Sequence, residues 1–579
     1  MMSVKTIGMV ISIYFGFLLS ANASETALEE YVYRLDSNYE YTMVDKTIGP
    51  GYTVYLLNMT SQAWRAETEV SPTVWNHWVR VIIPDVLLTT SAHLIITGGD
   101  MSPLPPNDED LALFAPIALS TASVAILLSE VPGQPLQFVD KPDPIREDAL
   151  VAYSWRKVME TGDATWAAYF PMTKAAVRTM DTAEHFLQDV LGAAPSGFIV
   201  TGFSKRGATA WLTAAIDSRV QAVVPGVFNA MHFEVQFENQ YRNYGDYASA
   251  AIDYSNERVL QNIRSPEGKL LTAVVDPIHY VDRLTMPHYI LQASGDQFFL
   301  PDASRSFIQA IPGEVTQRIV PNEDHSLSQQ IVPNISALIA WYQSVLLGSP
   351  RPVIEEVLRT DGVLEVTSDQ PAMNAVLWQA HNPEKRDFRL ETLGPEWKET
   401  PISADDDGVY RVSAPPPSDG YTAYMVEFTY PGTQTVEIRQ QYTTSTYVTP
   451  DSRPFVLQED VNDPKTARYW LDQVIPGEPN GADFSDEALR ALLPIRVLGT
   501  YITDLDRLRK TLRLGRGSVQ RAMRQCTAAR LNVESRKVGW YSTVWNWVPY
   551  WKVIDFAEQQ FDEGQESISA ALCYVLTIL

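Results

Sequence analysis

Near-continuous apolar runs of strand length recur along the first 350 residues, at 93–97, 123–127, 197–201, 222–224, 288–291 and 317–320. Unbroken apolarity, rather than alternation, marks strands covered on both faces. Between these runs, residues 172–191 and 207–216 are helix-compatible stretches without internal proline, which suits crossover connections. The order predicts an α/β fold over 24–349, a mostly parallel sheet of the α/β-hydrolase kind covered by helices. Residues 226–285 are longer and richer in polar and aromatic side chains than a crossover needs, and predict an insertion over the sheet.

Ser349-Pro350-Arg351-Pro352 interrupts this pattern. Short alternating segments follow, separated by turns such as Asp361-Gly362 and Asp407-Gly408, and predict a small β-sandwich over 350–450. Asp405-Asp406-Asp407-Gly408 lacks the downstream glutamate of a calcium loop and reads as an acidic turn. Helical spacing returns over 451–579. There, a basic stretch from Arg507 to Lys537, with Glu534 its one acidic residue, runs into Trp540, Trp545, Trp547 and Trp551. Two readings stand for this tail: peripheral contact with an anionic membrane, or a segment packed on the acidic body with the tryptophans as its core.

Composition narrows the function classes. The 579 residues carry 45 Lys+Arg against 70 Asp+Glu, a formal net charge of −25, which argues against a general nucleic-acid binder. At roughly 150 residues per unit the length fits about three or four structural units. Lys5, an apolar run over 7–19 and Ala21-Asn22-Ala23 form an export signal over residues 1–23, so a periplasmic or secreted location is expected. In such an oxidising compartment the only cysteines, Cys526 and Cys573, are expected to close the C-terminal segment with one disulfide.

The segment richest in chemistry is 197–211: an apolar strand, then Gly202-Phe203-Ser204-Lys205-Arg206-Gly207, then a helix of small residues. It resembles a nucleophile elbow, where a strained turn lifts a serine above the sheet edge at the N-terminus of the next helix. Arg206 stands where G-x-S-x-G has its second glycine, and Gly207 comes one residue later. Such an elbow requires an acid and a histidine after later strands, in the order Ser, Asp, His. Ser294-Gly295-Asp296 follows the run at 288–291, and Asn322-Glu323-Asp324-His325 follows the run at 317–320. The predicted triad is therefore Ser204 as nucleophile, His325 as base and then acid, and Asp296 as the group that orients the imidazole. Asp302 is a rival acid, with Glu323 and Asp324 weaker rivals. His77, His93, His185, His232, His279, His288 and His381 lie away from the loop after the last strand and read as surface or core residues.

For the oxyanion, the backbone amide of Lys205 and an amide of Gly98 or Gly99 are the candidate donors. The Lys205 and Arg206 side chains either favour a substrate bearing a carboxylate or phosphate, or, for Arg206, pair with a buried carboxylate that holds the loop. This chemistry requires no cofactor and no metal.

Ser61-Gln62-Ala63-Trp64, Val131-Pro132-Gly133-Gln134-Pro135-Leu136, residues 171–181, Ser204-Lys205-Arg206-Gly207 with Trp211, Leu377-Trp378-Gln379-Ala380 and Arg386-Asp387-Phe388-Arg389 together resemble the PhoPQ-activated pathogenicity-related protein family. The similarity runs over about 31–455. It implies an exported α/β-hydrolase-like protein with a β-rich C-terminal addition, linked in bacteria to virulence and antimicrobial-peptide resistance, and it implies no substrate. The elbow alone is also similar to that of glucuronoyl esterases, which keeps carboxylate-bearing esters in view. Two functions of different class follow. One is an exported serine hydrolase cleaving an ester or peptide through an acyl-enzyme; the other is a non-catalytic secreted binding or signalling protein on a hydrolase scaffold.

Overall fold

The computed structural model describes residues 26–107, 109–433 and 438–455, and two short strand pairs, Ile495–Val497 with Thr500–Ile502 and Tyr541–Ser542 with Val548–Pro549. The export signal, Cys526, Cys573, the basic stretch and its four tryptophans lie outside the described residues. Beyond residue 455, where helical spacing was expected, the described residues are extended.

A nine-stranded sheet forms the centre. In chain order its strands are β1 Glu40–Gly49, β2 Tyr52–Ala63, β3 Val74–Pro84, β4 Ala92–Ile96, β5 Val124–Leu128, β6 Phe198–Phe203, β7 Val220–Gly226, β8 His288–Ala293 and β9 Val315–Val320. Across the sheet they run β1-β2-β3-β5-β4-β6-β7-β8-β9. The pairings up to β3–β5 are antiparallel, and those from β5 to β9 are parallel. This is an α/β-hydrolase sheet. The three antiparallel strands were not singled out in the sequence: β1 is a largely exposed edge strand without a clear apolar run, and polar residues such as Asn58, Gln62, His77 and Arg80 interrupt β2 and β3.

The chain winds one way from β4 to β5 and the other way from β6 onward. The C-terminal ends of β4 and β6 therefore flank the topological switch point, where open α/β sheets place their ligands. β4 and β5 are buried along their whole length, which needs helices on both faces. The helices that matter for the site are α1 Glu147–Thr161, α2 Tyr169–Leu191, α3 Lys205–Ile216, α4 Phe233–Tyr244 and α5 Ile331–Leu346. Buried Ala208, Ala210 and Trp211 let α3 lie close on β6 and β7. The insertion after β7 folds as α4, a ten-residue helix Pro266–Val275 and several shorter helical turns. Buried Asp276 accepts the His232 amide at 3.0 Å and caps the start of α4.

A second layer follows. Its strands are β10 Ile354–Leu358, β11 Val363–Ser368, β12 Asn374–Asn382, β13 Lys398–Pro401, β14 Tyr410–Ser413, β15 Tyr421–Tyr430, β16 Gln440–Thr443 and β17 Tyr447–Thr449. One sheet is β10-β11-β14 and the other β13-β12-β15-β16, with β17 also on β15. Leu364, Val366 and Val412 from the first meet Val426 and Phe428 from the second in a core that also holds Leu291, Val320, Trp341 and Tyr342 of the α/β part. Polar contacts tie the same boundary: Tyr289 donates to the Gln441 carbonyl at 3.1 Å, and the Ile319 amide donates to Thr443 Oγ1 at 3.0 Å. In the acidic turn, Asp405 and Asp407 both pair with Arg411.

Candidate active site

β6 runs into α3 through Ser204, whose φ of 56° and ψ of −129° are unfavourable for a residue with a side chain. The surroundings hold it there. Its amide donates to Gly226 O on β7 at 2.9 Å, and its carbonyl accepts the Gly207 amide at 2.7 Å. A Cβ on Gly202 would stand 2.1 Å from the Arg206 carbonyl oxygen, and one on Gly207 would stand 2.8 Å from Phe228 Cβ. Close approach thus requires both glycines, and the displaced second glycine answers to where Phe228 packs.

The ends of β8 and β9 lie in parallel register, Ala293 beside Val320, so the loops after them emerge together. His325 Nδ1 lies 2.8 Å from Asp296 Oδ2 and 3.0 Å from Oδ1, while its Nε2 lies 2.9 Å from Ser204 Oγ. A carboxylate only accepts, so Nδ1 carries the proton, and Nε2 is left to accept from the serine hydroxyl. The Asp296 side chain is fully enclosed. Its Oδ1 also accepts the amides of Phe298 at 2.7 Å and Phe299 at 3.2 Å, which fix the orientation of the side chain. The Phe298 ring lies 4.6 Å from the imidazole. The rival acids are engaged elsewhere: Asp302 with Arg386 at 2.7 Å, Asp324 with the Ser326 amide at 2.9 Å, and Glu323 with the Gln330 amide.

Gly98 and Gly99 follow β4, whose last residue Ile96 pairs with Gly202, so they reach the sheet edge beside Ser204. A Cβ on Gly98 would stand 2.5 Å from Arg206 Nη2. The Lys205 amide occupies the first turn of α3, where an amide has no acceptor within the helix. The Lys205 and Arg206 side chains point their charge back into the protein. Arg206 makes a two-pronged pair with Glu147 at 2.6 and 2.8 Å, and Lys205 Nζ lies 2.8 Å from Glu147 and 3.1 Å from Asp148. Two cations thus meet two carboxylates. Burial works to raise the Glu147 pKa, but Arg206 and Lys205 bring it down to about 2.

Glu147 is held in a left-handed conformation with φ of 50°. Gln134 locks it there, accepting the Glu147 amide at 2.8 Å and donating to its carboxylate at 2.7 Å, and the same Gln134 nitrogen reaches Gly99 O at 3.3 Å. Sequence reasoning missed Glu147, Asp148 and Gln134 as parts of the site. The one available signal was Gln134, which lies inside a segment already noticed for its family likeness.

The other histidines stand apart from this cluster. Burial pushes His77 and His288 down to about 4 and His93 down to about 3, so all three are neutral core groups. His77 sits between Ser61 Oγ at 2.9 Å and Ser129 O at 3.1 Å. His381 lies on the sandwich, 3.6 Å from Asp419. Among the described residues, no three His, Cys, Asp or Glu side chains gather as a metal-holding group.

Comparison with known proteins adds three findings. The family model described as PhoPQ-activated pathogenicity-related protein matches residues 28–389. Autocrine proliferation repressor protein A of Dictyostelium discoideum is 31% identical over 466 residues, 76% of this chain and 93% of the relative. Among solved structures, an acetyl xylan esterase from Paenibacillus sp. R4 aligns with 13% identity and a TM-score of 0.38, over 54% of this chain and 92% of that one.

Proposed function

Because this chain belongs to the PhoPQ-activated pathogenicity-related protein family, and because its fold is that of the α/β-hydrolases, we propose that it is an exported serine hydrolase that cleaves an ester or peptide bond through an acyl-enzyme on Ser204. The observation that supports this most is one hydrogen-bond chain, Asp296 to His325 Nδ1 at 2.8 Å and His325 Nε2 to Ser204 Oγ at 2.9 Å, ending on a serine in a strained turn. Ser204 Oγ attacks the carbonyl carbon while Nε2 takes the hydroxyl proton, and Asp296 stabilises the imidazolium. The oxyanion that forms accepts hydrogen bonds from the Lys205 amide and from an amide of the Gly98–Gly99 segment. Collapse of the intermediate expels the alcohol or amine with the proton from Nε2, and water repeats the sequence to free Ser204.

Export rests on the N-terminal sequence, and a virulence-related role rests on the family. With Lys205 and Arg206 already paired to Glu147 and Asp148, the site lends little support to a substrate recognised by its carboxylate. Contact of the basic, tryptophan-rich tail with anionic membranes is a separate proposal, tested by flotation of the full chain and a folded tail deletion with anionic liposomes. The second functional reading, a secreted signalling protein that has retired its triad, is favoured by the name of the 31%-identical relative. A fluorophosphonate probe separates the two. Labelling of wild type that vanishes in Ser204→Ala supports the hydrolase, and a folded wild type that stays unlabelled favours the signalling protein.

A further inference from the structure

The β-sandwich reaches the site through one segment, residues 386–397, between β12 and β13. Arg386, 1% exposed, donates from Nη2 to Asp302 at 2.7 Å and from Nη1 to Asn243 on α4. Asp302 closes the loop that Asp296 opens. The opening of that loop is held by the same segment, where the Leu390 amide donates to Gly295 O at 2.9 Å. The approach is tight enough that a Cβ on Gly295 would stand 2.8 Å from Leu390 N. Trp397 grips the neighbouring loop: its amide donates to Asn322 Oδ1, and its carbonyl accepts from Asn322 Nδ2, both at 2.9 Å. Asn322, at φ 57°, lies three residues before His325.

What lies between these anchors is the support of the imidazole. Loop 295–302 supplies the Asp296 carboxylate, the Gln297 Oε1 that accepts the His325 amide at 2.9 Å, and the Phe298 ring. Surface loops bearing functional groups need a rigid mount, and a misplacement of about 1 Å costs about 100-fold in rate. Buried Asp302 also needs a cation, since an isolated carboxylate at such depth is strongly unfavourable, and the sandwich provides it.

We propose that segment 386–397 is a mount for the acid and base, with Arg386 as its central positioning residue, so that the triad is aligned only with the sandwich in place. The proposal rests on the hydrolase reading for its kinetic part, and on geometry alone for the rest.

The test uses the full-length protein, a fluorophosphonate inactivation rate measured across pH, and the downfield proton resonance of His325 Nδ1–H. For folded Arg386→Gln the expected results are inactivation about 100-fold slower and a half-maximal pH moved lower, because a weakened Asp296 contact favours imidazolium less. Arg386→Lys, which keeps the charge toward Asp302, is expected to recover most of the rate. The Nδ1 proton signal is expected to shift or vanish in Arg386→Gln and return in Arg386→Lys. If wild type is inert to the probe but its proton signal responds to Arg386→Gln in this way, the hydrolase reading falls and the mount stands. An unchanged rate, pH profile and proton signal in folded Arg386→Gln would overturn the mount while leaving the hydrolase intact. Should Arg386→Gln fail to fold, Asp302→Asn carries the same comparisons from the other side of the pair.

Discussion

Ser204 is held by the strand before it and the helix after it, whereas Asp296 and His325 ride on two loops whose ends are tied to another domain. On the serine side the constraints are backbone contacts and ion pairs within the α/β part: Gly226 O, the close approach at Gly202, and Glu147 with Arg206. On the acid and base side they come from Arg386, Leu390 and Trp397. The strained turn at Ser204 persists because β6, β7 and α3, all within one domain, over-determine it. A relay between two loops needs a scaffold that reaches both.

Substitutions can break this contrast at graded strength. The largest effect is expected from His325→Ala, a fall of about 10⁶-fold in turnover of an activated ester, measured against Ser204→Ala as the floor. Asp296→Asn keeps the shape but spoils the tautomer, and a fall of about 10⁴-fold is expected; near-normal turnover would show that the imidazole takes its orientation elsewhere. On the serine side, Gly202→Ala forces a Cβ against the Arg206 carbonyl and is expected to lower stability by about 3 kcal/mol, read as a drop in denaturant midpoint.

The smallest effect sharpens the contrast. Glu147→Gln removes the carboxylate that Arg206 and Lys205 share. Because that side chain is 38% exposed, solvent screening limits the loss to about 1–2 kcal/mol. The pH sign follows from its lowered pKa. Unfolded, the carboxyl titrates at about 4.3; folded, it titrates at about 2. Its stabilisation is therefore complete above about pH 5 and is lost as pH falls toward 2. Glu147→Gln should flatten that part of the acid denaturation curve, and an unaltered curve would remove Glu147 from its cause.

The legible and illegible parts of the sequence divide along the same line. The buried parallel strands showed as apolar runs because both faces of each must be covered. Ser204, Asp296 and His325 could be picked out because strand ends on one edge of such a sheet share a place in space. Glu147 with Arg206 lies 59 positions apart and Arg386 with Asp302 lies 84 apart, and neither separation follows any helical or strand period. Arg386-Asp387-Phe388-Arg389 stood out only for family likeness, since nothing local says that its first arginine crosses to another domain. β1 escaped notice for the opposite reason: as an exposed edge strand it carries polar residues on both faces.

The shared core has a consequence of its own. Trp341 and Tyr342 of α5 and Val320 of β9 sit in one apolar mass with Val366, Val426 and Phe428, so neither domain finishes its interior alone. Loss of the sandwich would uncover this face of the α/β part, so the melting of the two is expected to be coupled, which calorimetry of the full chain would show as a single transition. Cut the chain between them, and each fragment is left with a raw apolar face, a surface prone to aggregation.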